Sequence, residues 1–589
     1  MSCVSVDIST AASICHTVCS ILQGSFGPNA LHNMISTATG QVLITSDGST
    51  IIKSLHLSHP VGNLIMDAVQ SHHAITGDGT KTFLLMLREA LQTIHNICEK
   101  ETTHSHIKSQ VQKGQEQQLR IQMSQAFYRL LDHALPEVIL PSILKHAVVT
   151  DIDNLPQVRE YCLNTVRTFL SGKFTARVVE ILTEIVCSII FKTAADGKHV
   201  STAVLQLIDD FELVWLQVPG KPVSSSHIVD GVILQRDFAV KAENPDALKD
   251  SVTFAVLETP LEPSKTETPS TLYVRNEDEL SLVHSWKQET VQAMIKELES
   301  KGVNVLLTSE HVSDMVLYLC KAANISVVHH IPKEELQRLC RLSSLQPLVV
   351  SSWNVDSINV GQAMFCKQIT CGQNRCVHIG LKEGSGIRAT QGIVCGPNPG
   401  LCKLFTNAMH NALKVARMWL DVTNNYCHPG ISSDHSSLKG SGYDSFNLTK
   451  CDVKPSLLLG GGAFEILVHR YLREHADNTR DSKLSVACKV LSEAVLSVPR
   501  TLHANSHIPK CSMNSFPRLL ARATMRDCAG IDGYSGQLVD SIAAARVYEP
   551  IRAKYFLLCH VVQLLQQILR IDCLVSVKHF PKSNHLDSD

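Results

Sequence analysis

The order of structural types along the chain constrains its fold more than any single motif. Apolar residues recur at helical spacing from about residue 100 to 190 and again, with breaks, from 463 to 569. Between about 200 and 360, short apolar runs alternate with helical stretches, which is typical of an α/β module. This helical, α/β, helical order predicts an α+β multidomain protein whose chain leaves its first domain and later returns to it.

The composition excludes several classes of protein. The 589 residues are enough for three or four domains of ~100–200 residues each. Lys and Arg number 54 and Asp and Glu 55, which gives a formal net charge of −1, whereas a general nucleic-acid or anionic-membrane binder needs a basic excess. Hydrophobic residues make up 44% of the chain and charged residues 19%, so we expect packed cores and no extensive disorder.

We expect no membrane span, no secretory signal and a reduced, cytoplasmic chain. The most apolar stretch, residues 178–191, is interrupted by two glutamates, and a span needs ~20 largely apolar residues. The N-terminal sequence MSCVSVDIST has no basic region and no long apolar run. The 20 cysteines then fit buried thiols. Even the local cluster Cys366, Cys371 and Cys376 lacks the spacing of a zinc site and fits a strand core better.

Local patterns predict the first elements of the chain. A helix that begins at Asp7 or Ser9 should end at the breaker cluster Gly24-Ser25-Phe26-Gly27-Pro28. The elements predicted after it are a hairpin over 33–45, with its turn near Thr39-Gly40, and helices over 62–73 and 81–95.

The centre of the chain contains the strand signals. The β-type runs are 204–207, 229–234, 253–257, 303–308 and 325–329, followed by strands within 362–395. Residues 281–300 and 403–420 have helical periodicity. Residues 421–455 are rich in Ser, Asn, Asp, Gly and Pro, which predicts a disordered surface insertion.

The strongest local signal is Gly77-Asp78-Gly79-Thr80, immediately before a predicted helix. The first amides of a helix are unpaired and lie at the positive end of its dipole. Glycines let the backbone approach a phosphate closely, Thr80 and Thr82 offer hydroxyls, and Asp78 is a carboxylate of the kind that holds Mg²⁺ on phosphates. For such a motif in isolation, a plain turn before a helix is the commoner outcome.

Several motifs that are weak individually occur together in a particular order. They are Phe26-Gly27-Pro28, Asp47-Gly48, His59-Pro60, Gly77-Asp78-Gly79-Thr80, Gly460-Gly461-Gly462, Glu549-Pro550 and Ile568-Leu569-Arg570-Ile571-Asp572. In this order they resemble the signatures of the group II chaperonins, and the match spans nearly the whole chain.

The resemblance implies a chaperonin-like subunit with three domains. The helical, nucleotide-binding equatorial domain would comprise residues 1–135 and 419–589, with the polar insertion inside it. The split intermediate domain would comprise residues 136–215 and 361–418. The α/β apical domain, which binds clients, would be residues 216–360, with a helical protrusion at the polar stretch around residues 262–285.

The resemblance also implies a site for ATP and Mg²⁺. Its nucleotide-binding residues would be Gly27, Pro28, Asp47, Gly48, Gly77, Asp78, Gly79, Thr80, Lys81, Thr82, Gly461 and Glu549. Asp78 would hold the metal, Gly461 would allow close approach of the nucleotide, and Glu549 would reach the ribose or base edge. The alternatives for the last two are a packing glycine and an exposed carboxylate at a helix start.

The sequence departs from the family at the residue that activates the attacking water. The family's His-Asp-Ala-Leu motif is replaced by His410-Asn411-Ala412-Leu413, and an amide cannot take up a proton as a carboxylate can. Asp47 is the other carboxylate that would have to substitute. We therefore assign no catalytic residue and expect no enzyme activity.

The phosphate loop also departs from the family pattern. Ala30 stands where the family has Gly, Asn33 where it has Lys, and Lys81 where it has a second Thr. A positive φ at Ala30 would be strained. We expect weak ATP binding with little or no hydrolysis; the alternatives are an ATP-hydrolysing chaperonin subunit and a scaffold that binds no nucleotide.

Within the family, three segments resemble the chaperonin-like proteins of Bardet–Biedl syndrome, which belong to ciliary biology. They are residues 231–238, 462–467 and 575–578. This resemblance implies a chaperone for subunits of the BBSome, a ciliary trafficking complex. The implied partners are related Bardet–Biedl chaperonin-like proteins and the cytosolic chaperonin, and the implied locations are the cytoplasm, cilium, basal body or centrosome. The hairpin over 33–45 would pair with a neighbouring subunit.

Overall fold

A computed structural model gives the fold in two compact units. The structure describes residues 2–5, 7–36, 42–103, 109–194, 199–242, 251–261, 276–349, 359–381, 389–420, 454–506, 515–526, 528–539 and 546–576. The terminal unit comprises Met1–Glu180 and Asn411–Asp589, and the central unit comprises Ile181–His410. The expected departure of the chain from its first unit and its return are thus confirmed. The division into three domains stays a prediction.

Helices dominate the terminal unit. They are Ile8–Leu22, Gly48–Ser54, Pro60–Thr76, Thr80–Thr103, Ser109–Arg129, the π-helix Leu130–Ile139, Leu140–Leu144, Leu155–Leu170, Ala463–Asn478, Ser482–Ala504, Ser515–Thr524 and Ile551–Arg570. Two more helices, Ala176–Ala194 and Pro399–Leu420, contribute residues to both units. The helices predicted over 62–73 and 81–95 are confirmed and extend beyond those bounds.

The helix Thr80–Thr103 forms the centre of the terminal unit. It packs against Ile8–Leu22, Ser482–Ala504 and Ile551–Arg570. Its first half is apolar on nearly all sides, and Phe83 is fully buried there. A helix with this pattern is stable only inside a core, and each such side chain contributes ~1.5–3 kcal/mol on burial.

Short strands complete the terminal unit. Ser2–Ser5 pairs antiparallel with Cys573–Ser576, so strands from the two ends of the sequence meet. The hairpin predicted over 33–45 is confirmed as Asn33–Ser36 against Val42–Thr45, and its turn near Thr39-Gly40 lies outside the described residues. The remaining strands form a three-stranded sheet, Val148–Val149, Ser456–Leu459 and Tyr548–Pro550, and a small hairpin, Gly530–Ile531 with Leu538–Val539.

The central unit is built on a mixed six-stranded sheet. In spatial order its strands are Ser326–Val328, Val305–Thr308, Val252–Leu257, Gly361–Cys371, Asn374–Leu381 and Val232–Leu234. The first three are parallel and the others are antiparallel to their neighbours. A second, three-stranded sheet consists of Trp215–Pro219, Thr390–Gly396 and His227–Asp230.

Helices cover both faces of the six-stranded sheet. On strand Val252–Leu257, Phe254 and Val256 belong to one buried cluster, while Ala255 and Leu257 belong to another. This alternation is the period of two expected when both faces of a strand are covered. Helix Lys333–Ser343 covers the first face, and helices Glu277–Ser300 and Asp314–Ala322 cover the second.

Two details of the strand prediction need correction. The run 204–207 is wrong as a strand, because it lies in helix Val200–Asp209. The buried positions Val200, Ala203, Val204 and Leu207 have the spacing of one helical face. The run 229–234 is divided at Gly231, where φ is 116°, so its two halves belong to different sheets.

The cysteine cluster lies in the strands, as predicted. Cys366 and Cys371 are on Gly361–Cys371 and Cys376 is on the adjacent strand Asn374–Leu381. All three are reduced, and only Cys371 is partly exposed. Most of the predicted insertion at 421–455 and the start of the predicted protrusion lie outside the described residues.

Candidate functional site

The terminal unit contains a cavity of about 590 Å³. Every residue predicted for nucleotide binding lines this cavity, except Gly77. The lining members of that set are Gly27, Pro28, Asp47, Gly48, Asp78, Gly79, Thr80, Lys81, Thr82, Gly461 and Glu549. The fold thus collects at one cavity motifs that are far apart in the sequence.

Two glycines form the turn between helices Pro60–Thr76 and Thr80–Thr103. Gly77 and Gly79 have φ of 75° and 85°, in the left-handed region that favours glycine. A Cβ at Gly79 would also lie 2.7 Å from Leu557 Cδ1. The second helix therefore begins at the cavity wall, where its unpaired first amides can bind an anion.

Asn411 packs against this turn. A Cβ at Gly77 would lie 2.6 Å from the Asn411 carbonyl oxygen and 2.8 Å from Lys414 Cβ. Asn411 itself does not line the cavity, but Val415, one helical turn further on, does. The backbone of Asn411 is thus adjacent to the motif Gly77-Asp78-Gly79-Thr80.

Asp47 caps the helix Gly48–Ser54. Its Oδ2 accepts hydrogen bonds from the Thr50 amide at 3.0 Å and the Thr50 hydroxyl at 2.8 Å. Burial alone would raise the pKa of Asp47, but the charge of Lys173 and the Thr50 hydrogen bonds outweigh it and lower the pKa. Asp47 is therefore an ionised carboxylate that is already engaged in a structural contact.

Two lysines place positive charge at the cavity. The Lys81 ammonium donates to the Ser25 carbonyl, and burial together with the charge of Lys173 lowers the pKa of Lys81 to about 8. The Lys173 ammonium lies 3.4 Å from the centroid of the Phe169 ring. Both lysines line the cavity.

A buried ion triad forms another part of the wall. The Lys554 ammonium lies 3.0 Å from Glu549 Oε2 and 3.0 Å from Glu465 Oε1, and the Glu465 side chain is completely buried. Burial alone would lower the pKa of Lys554, but the charges of Glu465 and Glu549 raise it. Burial raises the pKa of Glu549. Glu549 is therefore an ion-paired, half-buried carboxylate and not a freely exposed one.

Gly461 has a packing role in addition to its place at the cavity. Its φ is 70°, and a Cβ there would collide with the Ile531 carbonyl oxygen. The Ile531 amide donates to the Gly461 carbonyl at 2.8 Å. Close approach to the strand Gly530–Ile531 is thus sufficient to require glycine, whether or not a nucleotide also approaches.

The loop after the first helix adopts a turn without strain at Ala30. The Ala30 amide donates to the Gly27 carbonyl at 3.1 Å, and Gly27 has a φ of 92°. Among the described residues, the non-glycine positions with positive φ are Ser251, Asn324, His330, Ser344 and Arg546. The loss of the family's glycine at Ala30 therefore does not by itself distort the loop.

Sequence reasoning missed the turn Ser171-Gly172-Lys173, which lines the cavity. A Cβ at Gly172 would collide with the Gly27 carbonyl oxygen, so this turn packs directly on the phosphate loop. A Gly between two predicted helices was the signal available in the sequence. His73 was also missed; its Nδ1 lies 3.3 Å from the Thr80 hydroxyl, and burial lowers its pKa to about 4.

The residues present fit a nucleotide with a divalent cation. A cavity of ~300–1,000 Å³ is usual for a small-molecule site. The start of helix Thr80–Thr103 and the two lysines provide donors and positive charge for phosphates. Asp78 lines the same cavity and offers the oxygen ligands that Mg²⁺ prefers.

The fold and this cavity together define a chaperonin subunit. The sequence profile of the TCP-1/cpn60 chaperonin family matches residues 18–424 and 436–579. The chain therefore belongs to the TCP-1/cpn60 chaperonin family.

Several relatives are similar over almost their full length. The chain is 24% identical to the mouse (Mus musculus) "BBSome complex assembly protein BBS10" and 23% identical to the human (Homo sapiens) one, covering 98% of both chains in each case. It is 22% identical to the thermosome subunit alpha of Methanothermobacter thermautotrophicus, over 96% of this chain and 90% of that one. Within the described residues, no helix has the length and apolarity needed to cross a membrane.

Proposed function

We propose that this protein is a chaperonin-like molecular chaperone that assists the folding and assembly of the BBSome, binding ATP weakly with little or no hydrolysis. The observation that carries the proposal is the gathering of the chaperonin motifs at one cavity, beside an asparagine in place of the family's aspartate. The full-length similarity to two proteins named for BBSome assembly supports the client class.

The proposed nucleotide contacts follow from the cavity wall. The first amides of helix Thr80–Thr103 would donate to phosphate oxygens, and Lys81 and Lys173 would neutralise their charge. Asp78 would hold Mg²⁺, and Glu549 would face the ribose or base edge while paired with Lys554. A bound ATP would supply the negatively charged phosphates with which these groups interact.

The proposal of weak hydrolysis follows from the groups that are available to take up a proton from the attacking water. Asn411 has no basic carboxylate, and such bases contribute ~10²–10⁴ in rate. Asp47 is a poor substitute because Thr50 holds its Oδ2 in a helix cap. We therefore assign no catalytic residue in this chain.

The partners are proposed from the hairpin and from the relatives. Met34 and Ile44 on the hairpin are 72% and 59% exposed, and no other described strand extends this two-stranded sheet, which fits strand pairing with a neighbouring subunit. The proposed neighbours are related Bardet–Biedl chaperonin-like proteins and cytosolic chaperonin subunits, and the proposed clients are BBSome subunits. The proposed location is the cytoplasm, with the cilium, basal body or centrosome.

Native affinity purification from ciliated cells tests the partners. We expect a large particle on a density gradient, with chaperonin and BBSome subunits identified by mass spectrometry. Ile44→Lys should weaken its recovery, whereas Ile121→Lys, at a 53% exposed position on helix Ser109–Arg129 of the terminal unit, should not. Recovery of a lone species near the chain mass of 64.8 kDa would overturn the assembly proposal.

Two solution assays test the nucleotide part. Binding of a Mg²⁺–ATP analogue should raise the melting temperature, since a ligand of the native state stabilises by RT ln(1 + [L]/Kd). No shift at high concentration would favour a scaffold that binds no nucleotide. Turnover at the rate of an ordinary chaperonin would instead favour an ATP-hydrolysing subunit.

A further inference from the structure

Three histidines meet at one edge of the six-stranded sheet in the central unit. His311 follows strand Val305–Thr308, and His329 and His330 follow the adjacent strand Ser326–Val328. Because these two strands are parallel, their carboxyl ends lie at the same edge. The carboxyl edge of parallel strands is where α/β folds commonly bind ligands.

The three imidazoles are close enough to share one ion. One ring nitrogen from each residue can be chosen so that all three lie within 4.8 Å of one another. The ring centroids are 4.5 Å apart for His329 and His330, and 5.4 Å apart for His311 and His330. Within the described part of the chain, no other group of three or more His, Cys, Asp or Glu residues has such geometry.

His329 has a nitrogen without a hydrogen-bond partner. Its Nδ1 is buried, and no described group bonds to it. A buried polar atom of this kind costs free energy unless something satisfies it. A metal ion bound at this nitrogen would satisfy it, because an imidazole nitrogen is a common ligand of transition metals.

The backbone fixes the position of the cluster. His330 has a φ of 55°, a conformation that non-glycine residues adopt rarely. The Arg236 Nε donates to its carbonyl oxygen at 2.8 Å, which holds this turn in place. Glu310 precedes His311 and its carboxylate is paired with Lys333 at 3.5 Å, while the group of described side chains whose ligand atoms lie within 4.8 Å of one another here consists of the three histidines.

We propose that His311, His329 and His330 form a binding site for a divalent transition metal of the Zn²⁺ class. Zinc binds imidazole nitrogen at ~2.0–2.1 Å, and sites with three protein ligands keep a fourth position open. Ligands of a tetrahedral ion at that distance are ~3.4 Å apart. His311 and His330 are exposed, so rotation of their side chains can close the remaining distance.

Metal binding would link the segments that follow strands Val305–Thr308 and Ser326–Val328. The ion would connect the loop that contains His311 to the turn that contains His329 and His330, and so stiffen this edge of the sheet. Its fourth position would take water or a side chain of another protein. We therefore name the metal ion alone as the ligand of this site.

Titration of the full-length, thiol-reduced protein with Zn²⁺, and with Co²⁺ as a visible probe, tests this site. The chain has 28 histidines and 20 cysteines, which can also bind metal. The quantity that tests the site is therefore the difference in metal binding between the wild type and the variants. His311→Ala and His330→Ala change exposed side chains and should each weaken binding of one equivalent at least about tenfold. The matched control His284→Ala, also exposed in the central unit, should leave binding unchanged.

The outcomes separate this site from other metal ligands. We expect the Co²⁺ difference spectrum, wild type minus His311→Ala, to lack thiolate charge-transfer absorption, and we expect a rise in melting temperature with Zn²⁺ that is smaller in His311→Ala. Equal metal binding by wild type and the His311→Ala/His330→Ala double variant would overturn the proposal. A difference spectrum, wild type minus that variant, with thiolate charge-transfer absorption would also overturn it, because a cysteine would then be a ligand of the ion lost in the variant.

Discussion

Replacing Lys554 by methionine is expected to destabilise the terminal unit strongly. The substitution keeps the length of the apolar stem but removes the only described cation within 4.0 Å of Glu465, whose side chain is completely buried. Removing one partner of a buried ion pair costs ~3–5 kcal/mol, because the remaining charge stays desolvated. An exposed pair contributes only ~0–1 kcal/mol.

Hydrogen exchange measured by mass spectrometry is the appropriate assay, since it reports the opening of each helix. At 1.4 kcal/mol per tenfold, a loss of ~3–5 kcal/mol corresponds to exchange ~10²–10³·⁵ faster. We expect this acceleration in helix Ala463–Asn478, which contains Glu465. The control is Arg129→Met, which removes an exposed ion pair with Asp481 and should change exchange less than about fivefold.

The double variant Lys554→Met/Glu465→Gln separates charge from packing. If the unpaired carboxylate causes the loss, neutralising it should restore most of the stability. The loss in Lys554→Met should also shrink as the pH falls. Burial raises the pKa of Glu549, so the penalty of its unpaired charge is present above that pKa and disappears near pH ~4, where the unfolded chain is protonated too. If Lys554→Met lowers the free energy of opening by only ~1 kcal/mol or less, and by the same amount at every pH, this reasoning is refuted.

Three more predictions concern the cavity. The affinity for an ATP analogue should fall as the pH rises through about 8, because Lys81 then loses the charge that attracts phosphate. In calorimetric titrations, Lys81→Met should remove this pH dependence. A wild-type affinity that does not change with pH would contradict the prediction. Asn411→Asp should raise ATP turnover by ~10²–10⁴ in a phosphate-release assay, and no gain would mean that the site lacks more than a base. Gly77→Ala should cost at least ~1–2 kcal/mol and abolish nucleotide binding, because φ is 75° and the Asn411 carbonyl is too close. Gly24→Ala, with open space around it and no positive φ, should be nearly neutral in the same thermal and binding assays.

The cavity motifs could be predicted because their causes are local. Gly77 and Gly79 appear in the sequence as a turn before a helix, and the helix Thr80–Thr103 shows its buried side in its apolar spacing. Lys173 and Lys554 have no such local signal. Lys173 lies in the turn after helix Leu155–Leu170, and Lys554 lies on helix Ile551–Arg570. Both reach the cavity only through tertiary packing.

The centre of the chain shows where local pattern and tertiary structure diverge. Residues 204–207 are a short apolar run, and such a run does not distinguish a strand from one face of a helix. His311 and His329 are 18 positions apart in the sequence, and only the parallel pairing of two strands brings them together. A register or strand order that the sequence alone does not specify therefore decides whether the three imidazoles meet.

The divided terminal unit has a consequence for synthesis on the ribosome. Its first segment ends at Glu180 and its second begins at Asn411, so the 230 residues from 181 to 410 are made in between. At ~5–20 residues per second this takes ~10–50 s. Throughout that interval helix Thr80–Thr103 lacks the partners Ser482–Ala504 and Ile551–Arg570, so the apolar side chains that they cover in the complete fold are exposed. Transiently exposed apolar surface of this kind is prone to aggregation and is what chaperones bind, so we expect this chain to need shielding during its own synthesis.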